Sequence, residues 1–166
     1  SSVFKIGLIG YTNAGKSTIM NALTNKNQYE ADELFATLDA TTKGANLTGR
    51  LNVTLTDTVG FIQDLPTELI SSFKSTLEES KNVDLLVHVI DASDPNHEEH
   101  EKTVLAIMKD LDMLDIPRLT LYNKADKAGN FLPTLTPYVL ISAKMENSRA
   151  VLQEALLDKM RELFVP

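Results

Sequence analysis

The residues with the clearest chemistry form a loop near the start of the chain, flanked by Gly10 and Gly15 and followed by Lys16 and Ser17. The loop fits the pattern G-x-x-x-x-G-K-[ST] directly after an apolar run. Its backbone N–H groups, with the N-terminus of a following helix, can bind phosphates. Lys16 would add charge at the β/γ bridge and assist catalysis, and Ser17 would bind Mg²⁺. The predicted phosphate-binding residues are Gly10, Tyr11, Thr12, Asn13, Ala14, Gly15, Lys16, Ser17 and Thr18.

Two later segments predict which base the nucleotide carries. The Asp126 carboxylate can accept hydrogen bonds from the N1–H and exocyclic amine of guanine, a donor pair that adenine lacks at that edge. The aliphatic stem of Lys124 can lie over the base, and Asn123 can tie its loop to neighbouring loops. A backbone N–H after the last predicted strand can reach O6. These features predict GTP or GDP as the ligand, with a pocket formed by Asn123, Lys124, Asp126, Ser142, Ala143 and Lys144.

A third motif, beginning at Asp57, predicts the other side of a magnesium site. The carboxylate of Asp57 would hold Mg²⁺ through water, and the N–H of Gly60 would meet the γ-phosphate and contribute to catalysis. Asp91 also ends an apolar strand and is a rival ligand. We favour Asp57 because a glycine follows at the third position, and we interpret the segment from Asp91 to Pro95 as a cap for the next helix.

The segment from Thr24 to Gly44 is polar and shows no sustained period, so we expect a long functional loop, a candidate switch. One of its threonines would complete the Mg²⁺ coordination and act in catalysis. Thr37 is the first choice, with Thr41 and Thr42 as alternatives.

Two residues bear on how fast hydrolysis runs. Phe61 follows Gly60 at the position where Ras-like enzymes carry a glutamine that orients water, and its ring cannot hydrogen-bond water. We therefore expect slow intrinsic hydrolysis. Asn13 could help to hold a K⁺ ion against the phosphates, or could only brace the loop through backbone hydrogen bonds. The sequence leaves both interpretations of Asn13 open.

Alternating strands and helices must position these residues. The patterns predict strands at residues 3–9, 83–90, 118–122 and 138–141, a hairpin within 46–57, and helices at 16–23, 97–114 and 149–163. Apolar residues at helical spacing after Pro66 predict a further helix: Leu69, Ile70, Phe73 and Leu77. The fold class is α/β, a mostly parallel, doubly wound P-loop sheet with one antiparallel edge strand, which binds ligands at the carboxyl ends of its strands.

The composition limits which classes of protein and which kinds of site are possible. The 166 residues, 43% hydrophobic and 23% charged, suit one globular domain, and the absence of cysteine excludes disulfides, thiolate zinc sites and cysteine nucleophiles. No apolar run reaches the roughly 18 to 20 residues of a membrane span. The net charge of -7 opposes binding of free DNA. Because the chain starts with Ser1 and Ser2 rather than Met, we expect upstream sequence to be missing.

Two acidic or histidine-rich segments resemble catalytic sites but are interpreted as solvated helix faces. His97 and His100 are three residues apart, whereas the zinc motif H-E-x-x-H requires four. The carboxylates that could suggest paired acid/base chemistry have polar neighbours and are expected to be exposed: Glu78, Glu79, Glu98, Glu99 and Glu101.

Taken together, the motifs resemble the HflX family of ribosome-associated GTPases. The resemblance covers residues 4–164 and depends on the loop Gly10–Thr18, the wording Phe35-Ala-Thr-Leu-Asp39 with Thr41-Thr42, and Asp57-Thr-Val-Gly-Phe-Ile62 followed by Leu65-Pro66. Ala40 and Lys43 depart from it, since the family usually has proline and arginine there. Ala40 leaves the backbone of the switch less constrained in φ.

The resemblance implies a cytoplasmic GTPase that binds the large ribosomal subunit and splits or rescues ribosomes, with an N-terminal domain ahead of the GTP-binding domain. Two functions from different classes follow: a regulatory GTPase that is slow on its own, or a nucleotide-gated ribosome-binding module whose hydrolysis is incidental. An ATPase or small-molecule kinase is a third, and Asp126 argues against it.

Overall fold

The computed structural model describes residues 3–11, 13–24, 41–48, 51–57 and 82–164. Strands and helices alternate along most of these residues, as the sequence predicts. The strands are β1 (Phe4–Gly10), β2 (Thr41–Thr48), β3 (Leu51–Asp57), β4 (Leu85–Asp91), β5 (Arg118–Asn123) and β6 (Tyr138–Leu140). The helices are α1 (Lys16–Thr24), α2 (His97–Asp110) and α3 (Ser148–Phe164), with a short 3₁₀ helix at Ala125–Lys127.

The strands of the described ranges form one sheet in the order β2-β3-β1-β4-β5-β6. Every neighbouring pair is parallel except β2 and β3, which form an antiparallel hairpin at one edge. The predicted fold class, a mostly parallel sheet with one antiparallel edge strand, is confirmed. Because parallel strands end at the same side of a sheet, the chain leaving β1, β3, β4, β5 and β6 emerges along one edge, where ligands bind in such folds.

Apolar side chains cover both faces of the sheet, which explains why its central strands are almost continuously apolar. On one face, Ile6, Leu8 and Val87 pack in a cluster with residues of α1 and α3. On the other, Ile9 and Leu86 pack in a cluster with Val104 and Met108 of α2. None of the described helices is long and apolar enough to cross a bilayer.

The first edge strand is longer than the sequence predicts. The pattern from Thr24 to Gly44 predicts an irregular segment, but β2 begins at Thr41, and Thr41 to Ala45 pair with Asp57 to Val53 of β3. The reason is that backbone pairing with β3 stabilises an extended conformation in a run whose side chains show no alternation.

Helix α2 is shorter than the sequence predicts: it ends at Asp110 rather than Leu114, and Asp112 lies in the left-handed region with φ of 60°.

A buried polar cluster corrects the interpretation of two residues as solvent-exposed. Glu101 is only 3% exposed, and its carboxylate accepts hydrogen bonds from His97 Nδ1 at 2.7 Å, Thr134 Oγ1 at 3.0 Å and Tyr122 Oη at 3.3 Å. His97 is correspondingly half-buried. The sequence interpretation failed because the partners of Glu101 come from distant segments, which a local pattern of charges does not reveal. Glu98 and Glu99 are exposed, as expected.

Tyr122 connects this cluster to the chain between β5 and β6. Its hydroxyl accepts hydrogen bonds from the backbone N–H groups of Thr134 and Leu135, each at 3.1 Å, and its ring is fully buried. The ring of Phe131 packs against it at 5.3 Å. One phenol therefore anchors the turn that leads back to β6.

Replacing Tyr122 with phenylalanine removes only the hydroxyl. We expect Tyr122→Phe to lower the free energy of unfolding by about 1–3 kcal/mol, because two partly buried N–H groups and the buried Glu101 carboxylate each lose a partner. Tyr138→Phe is the matched control, since the Tyr138 side chain is 44% exposed, and its effect should stay within about 0.5 kcal/mol. Urea denaturation measures both. Equal effects of the two substitutions would contradict the anchoring role of Tyr122.

Candidate functional site

A cleft of about 680 Å³ opens at the carboxyl ends of the strands, within the range of pockets that bind small molecules. Twelve of its lining residues were predicted from the sequence: Asn13, Gly15, Lys16, Ser17, Thr18, Asp57, Asn123, Lys124, Asp126, Ser142, Ala143 and Lys144. Sequence reasoning missed three others, Ser93, Lys127 and Met145. The phosphate loop and the base segments, more than 100 residues apart in sequence, thus meet in one cleft.

The described part of the phosphate loop has the tight backbone that a phosphate nest requires. The N–H of Ala14 donates to the carbonyl of Tyr11 at 3.1 Å, and the N–H of Ile19 to that of Gly15 at 3.0 Å. Gly15 has φ of 105°, and a Cβ there would overlap the side-chain amide of Asn123. At Gly10 a Cβ would overlap the carbonyl of Val89. Both glycines of the motif are therefore required sterically.

Asn123 joins the phosphate loop to the base segments. It is 2% exposed. Its amide Nδ2 donates to the carbonyl of Ala14 at 3.1 Å, and its Oδ1 accepts from the N–H of Ala143 at 3.0 Å. The nitrogen and the oxygen of this buried amide are thus hydrogen-bonded to two different loops. This geometry matches the bracing role that the sequence predicts for Asn123.

Lys16 and Asp57 face each other at the phosphate end of the cleft. Lys16 Nζ donates to the carbonyls of Gly10 at 2.9 Å and Tyr11 at 3.5 Å. Burial lowers the pKa of Lys16, an effect that the nearby Asp57 charge opposes. Burial likewise raises the pKa of Asp57 against the opposing charge of Lys16. Each charge therefore offsets part of the desolvation of the other.

The same region fits a magnesium ion. Asp57 Oδ1 is buried and has no hydrogen-bond partner within the described residues, and the exposed side chain of Ser17 lines the same cleft. One carboxylate and one hydroxyl are oxygen donors of the kind Mg²⁺ prefers when phosphates and water supply the rest. Across the described ranges no three His, Asp or Glu side chains cluster around a common point.

At the other end of the cleft, Asp126 is fixed by Ser142. The Ser142 hydroxyl donates to Asp126 Oδ1 at 2.7 Å and accepts from the Asp126 N–H at 3.2 Å. Only one carboxylate oxygen is engaged by this pair. The second oxygen of Asp126, on a side chain that lines the cleft, is available to a ligand.

Asp91 does not cap α2, contrary to the sequence interpretation. Its Oδ1 accepts from the N–H and hydroxyl of Ser93 at 2.9 and 2.6 Å, and its Oδ2 accepts from Lys124 Nζ at 3.0 Å. The residue that precedes α2 is Asn96, which makes no side-chain capping bond. Although partial burial acts to raise it, hydrogen bonds from Ser93 and Lys124 hold the pKa of Asp91 below its usual range. The sequence interpretation is wrong because the partner of Asp91 lies beyond the adjacent strand.

Tyr11 is the one described member of the phosphate-loop motif whose side chain turns away from the cleft towards α2. Its ring stacks on that of His100 with centroids 3.8 Å apart and an interplanar angle of 5°. Ala14, by contrast, is buried and contributes its carbonyl to Asn123. Only the backbone of Tyr11 could therefore reach a phosphate in this arrangement.

Several predicted residues lie outside the described ranges or away from the cleft. Thr12, Thr37, Gly60 and Phe61 are outside the described residues, so their predicted roles stay predictions. Thr42 lies in β2, where its hydroxyl shares a hydrogen bond of 2.9 Å with that of Thr56. Thr41 pairs with Asp57 at the start of the same strand.

Comparison with known proteins finds a family model and relatives that match this chain. Residues 5–124 match the family described as "50S ribosome-binding GTPase". The GTPase HflX of Alkalihalophilus pseudofirmus is 46% identical over 168 residues, covering 100% of this chain and 40% of that protein. The GTPase HflX of Escherichia coli is 43% identical and covers 78% of this chain and 30% of that protein. The chain therefore spans well under half the length of these relatives.

Solved structures of other proteins have the same fold as this chain. A GTP-binding protein from Sulfolobus solfataricus in complex with GDP is 26% identical, with a TM-score of 0.72 over 96% of this chain and 53% of that chain. The G domain of the Thermotoga maritima FeoB iron transporter, at 21% identity, has a TM-score of 0.67 over 96% of this chain and 99% of that one. The second likeness concerns the fold alone.

His88 lies in the middle of β4 and gives the domain a measurable pH dependence. It is 1% exposed, and its Nδ1 has no partner within the described residues. Burial, helped by the charges of Arg118 and Lys16, lowers the pKa of His88 from 6.5 to about 3. Folded His88 therefore stays neutral, whereas the unfolded chain takes up a proton below pH 6.5, so acid favours unfolding.

The expected effect is a loss of about 2 kcal/mol of unfolding free energy between pH 7 and pH 5 from this one residue. His88→Leu should remove that part of the pH dependence, because nothing titrates at the position. Comparing urea denaturation of the two proteins at pH 7, 6 and 5 isolates the contribution, since the other titratable groups are shared. Parallel curves for the two proteins would show that His88 is not held neutral by the fold.

Proposed function

The chain belongs to the HflX family within the 50S ribosome-binding GTPases, and we therefore propose that it binds GTP and GDP in the strand-end cleft and hydrolyses GTP. The observation that carries the proposal is the link made by Asn123 between Ala14 in the phosphate loop and Ala143 in the base segment. This link holds the phosphate loop and the segment that carries the Asp126 carboxylate around one cleft. A nucleotide is the ligand that spans both.

Guanine is the base that best suits the far end of the cleft. Ser142 occupies one oxygen of Asp126 at 2.7 Å, and the carboxylate can accept the N1–H and amino hydrogens of guanine. Adenine presents no such donor pair, so it would leave the second oxygen of the Asp126 carboxylate without a partner in the complex, and a site built to pair with donors rejects a ligand that lacks them. The stem of Lys124, whose ammonium is held at Asp91 and Asn13, offers an apolar surface to the ring.

The phosphate end supplies positive charge. We propose that Lys16 moves its ammonium from the carbonyl of Gly10 to the β/γ-phosphates, where it regains a full charge partner. Ser17 and Asp57 would hold Mg²⁺, with Thr37 as the third protein group. When bound, Mg²⁺ neutralises charge on the phosphate oxygens. The N-terminus of α1 and Lys16 together favour the triphosphate over a neutral ligand.

Hydrolysis by this domain alone is proposed to be slow. Phe61 occupies the position of the water-orienting glutamine of Ras-like enzymes and has no polar group to replace it. Gly60 would contribute its N–H at the γ-phosphate. Asn13, with φ of 67° at the mouth of the cleft, could add a K⁺ ion, and a higher turnover in KCl than in NaCl that Asn13→Ala removes would support this.

We further propose that the nucleotide controls association with the large ribosomal subunit, because relatives of the 50S ribosome-binding GTPase family share this domain. The net charge of -7 means that any contact with ribosomal RNA needs local basic patches or other parts of the full-length protein. The alternative is a ribosome-binding module whose hydrolysis is incidental. Turnover of the full-length protein with and without 50S subunits separates them, because a regulatory GTPase should be stimulated by ribosomes and a gated module should not.

Asp126→Asn tests the proposed guanine site. The amide would present a donor where guanine also presents donors, so GDP binding should weaken by about 2–4 kcal/mol while xanthosine diphosphate binds better than GDP. Isothermal titration calorimetry measures both ligands. Asp110→Asn, an exposed change at the end of α2, is the control and should bind GDP like the wild type. Unchanged GDP affinity in Asp126→Asn would rule out the proposed base pocket.

A further inference from the structure

Lys124 forms a bridge between three loops at the mouth of the cleft. Its ammonium donates to Asp91 Oδ2, at the end of β4, at 3.0 Å and to the carbonyl of Asn13, in the phosphate loop, at 3.1 Å. Lys124 itself follows β5. The bridge therefore ties the ends of β1, β4 and β5 together through one side chain.

The two residues joined by this bridge adopt left-handed backbones. Lys124 has φ of 58° and Asn13 has φ of 67°. Asparagine tolerates this region, whereas for lysine it is uncommon and costs free energy. Strain of this kind persists only where neighbouring contacts hold it. The hydrogen bond from the Lys124 ammonium to the Asn13 carbonyl is a contact that spans these two residues.

Asp91 is itself held in place, which makes it suitable as a fixed anchor. Ser93 donates both its N–H and its hydroxyl to Asp91 Oδ1, at 2.9 and 2.6 Å, and leaves Oδ2 for Lys124. The side chain of Asp91 is 17% exposed and that of Lys124 33% exposed. Partial burial protects the pair from part of the screening that weakens surface ion pairs.

We propose that Asp91 is a positioning residue for the nucleotide: it fixes the Lys124 ammonium, so that the lysine stem lies flat for the guanine ring and the Asn13 carbonyl is held away from the phosphates. This inference rests on the proposed binding of GDP in the cleft. Asp91 lies outside the lining of the cleft, whereas its partners Lys124 and Ser93 lie within it. The charge of Asp91 acts on the Lys124 ammonium. Pre-organisation of this kind strengthens binding by lowering the ordering cost.

A double-mutant cycle tests the proposal with GDP as the probe and calorimetry as the measurement. Asp91→Asn keeps the shape and the acceptor for Ser93 but loses the charge, and should weaken GDP binding by about fivefold. In a Lys124→Met background, which keeps an apolar stem and loses the ammonium, the same substitution should change the affinity by less than about 1.5-fold. Asp94→Asn is the matched control: Asp94 accepts a hydrogen bond from the N–H of Asn96 at 2.8 Å, and its substitution should leave GDP binding unchanged.

The outcomes separate this inference from the proposed function. Failure of the wild type to bind GDP would contradict the function itself. An equal loss from Asp91→Asn in both backgrounds, or no loss in either, would overturn the positioning role while leaving GDP binding intact. Ser93→Ala provides a second variant that loosens Asp91 without removing it, and it should weaken GDP binding about twofold only when Lys124 is present.

Discussion

The site depends on one buried amide. The side chain of Asn123 is 2% exposed and bonds at both ends to backbone groups of other loops, Ala14 at 3.1 Å and Ala143 at 3.0 Å. A group so enclosed cannot exchange these partners for water, so losing either bond costs the full desolvation of an unpaired polar atom. The spacing between phosphate nest and base pocket is thereby fixed before any nucleotide arrives. The absence of a Cβ at Gly15 makes room for that amide.

The sheet makes this arrangement possible. Parallel pairing of β4 with β5 places Asp91 beside Asn123, and pairing of β1 with β4 places Gly10 beside Val89. Loops that are remote in sequence therefore start from adjacent points on one edge. Asn123 and the Lys124 ammonium then cross-link them, one buried beneath the cleft and one at its mouth. Because the strands are rigid and hydrogen bonds join the loops that follow them, the distance between the two ends of the cleft is fixed.

The sequence alone is sufficient to predict features of the structure that have a local cause. Gly10, Gly15 and Lys16 follow a strict pattern, and the apolar runs of the central strands require burial on both faces. Features that depend on distant partners cannot be predicted in this way. Glu101 looks like any charge on a helix until Tyr122 and Thr134 are brought against it. Asp91 resembles a helix cap until β5 sets Lys124 next to it, and the pairing that extends β2 to Thr41 comes wholly from β3.

The Asn123 amide fixes the distance between the phosphate end and the base end of the cleft. Asn123→Asp tests it most directly, because it keeps the size and the acceptor for Ala143 and removes the N–H donated to Ala14. Calorimetric titration with GDP should show affinity lower by about 100-fold, the cost of a buried carbonyl facing a carboxylate. Asn96→Asp, at an exposed position before α2, should bind GDP as the wild type does. Wild-type affinity in Asn123→Asp would contradict the claim.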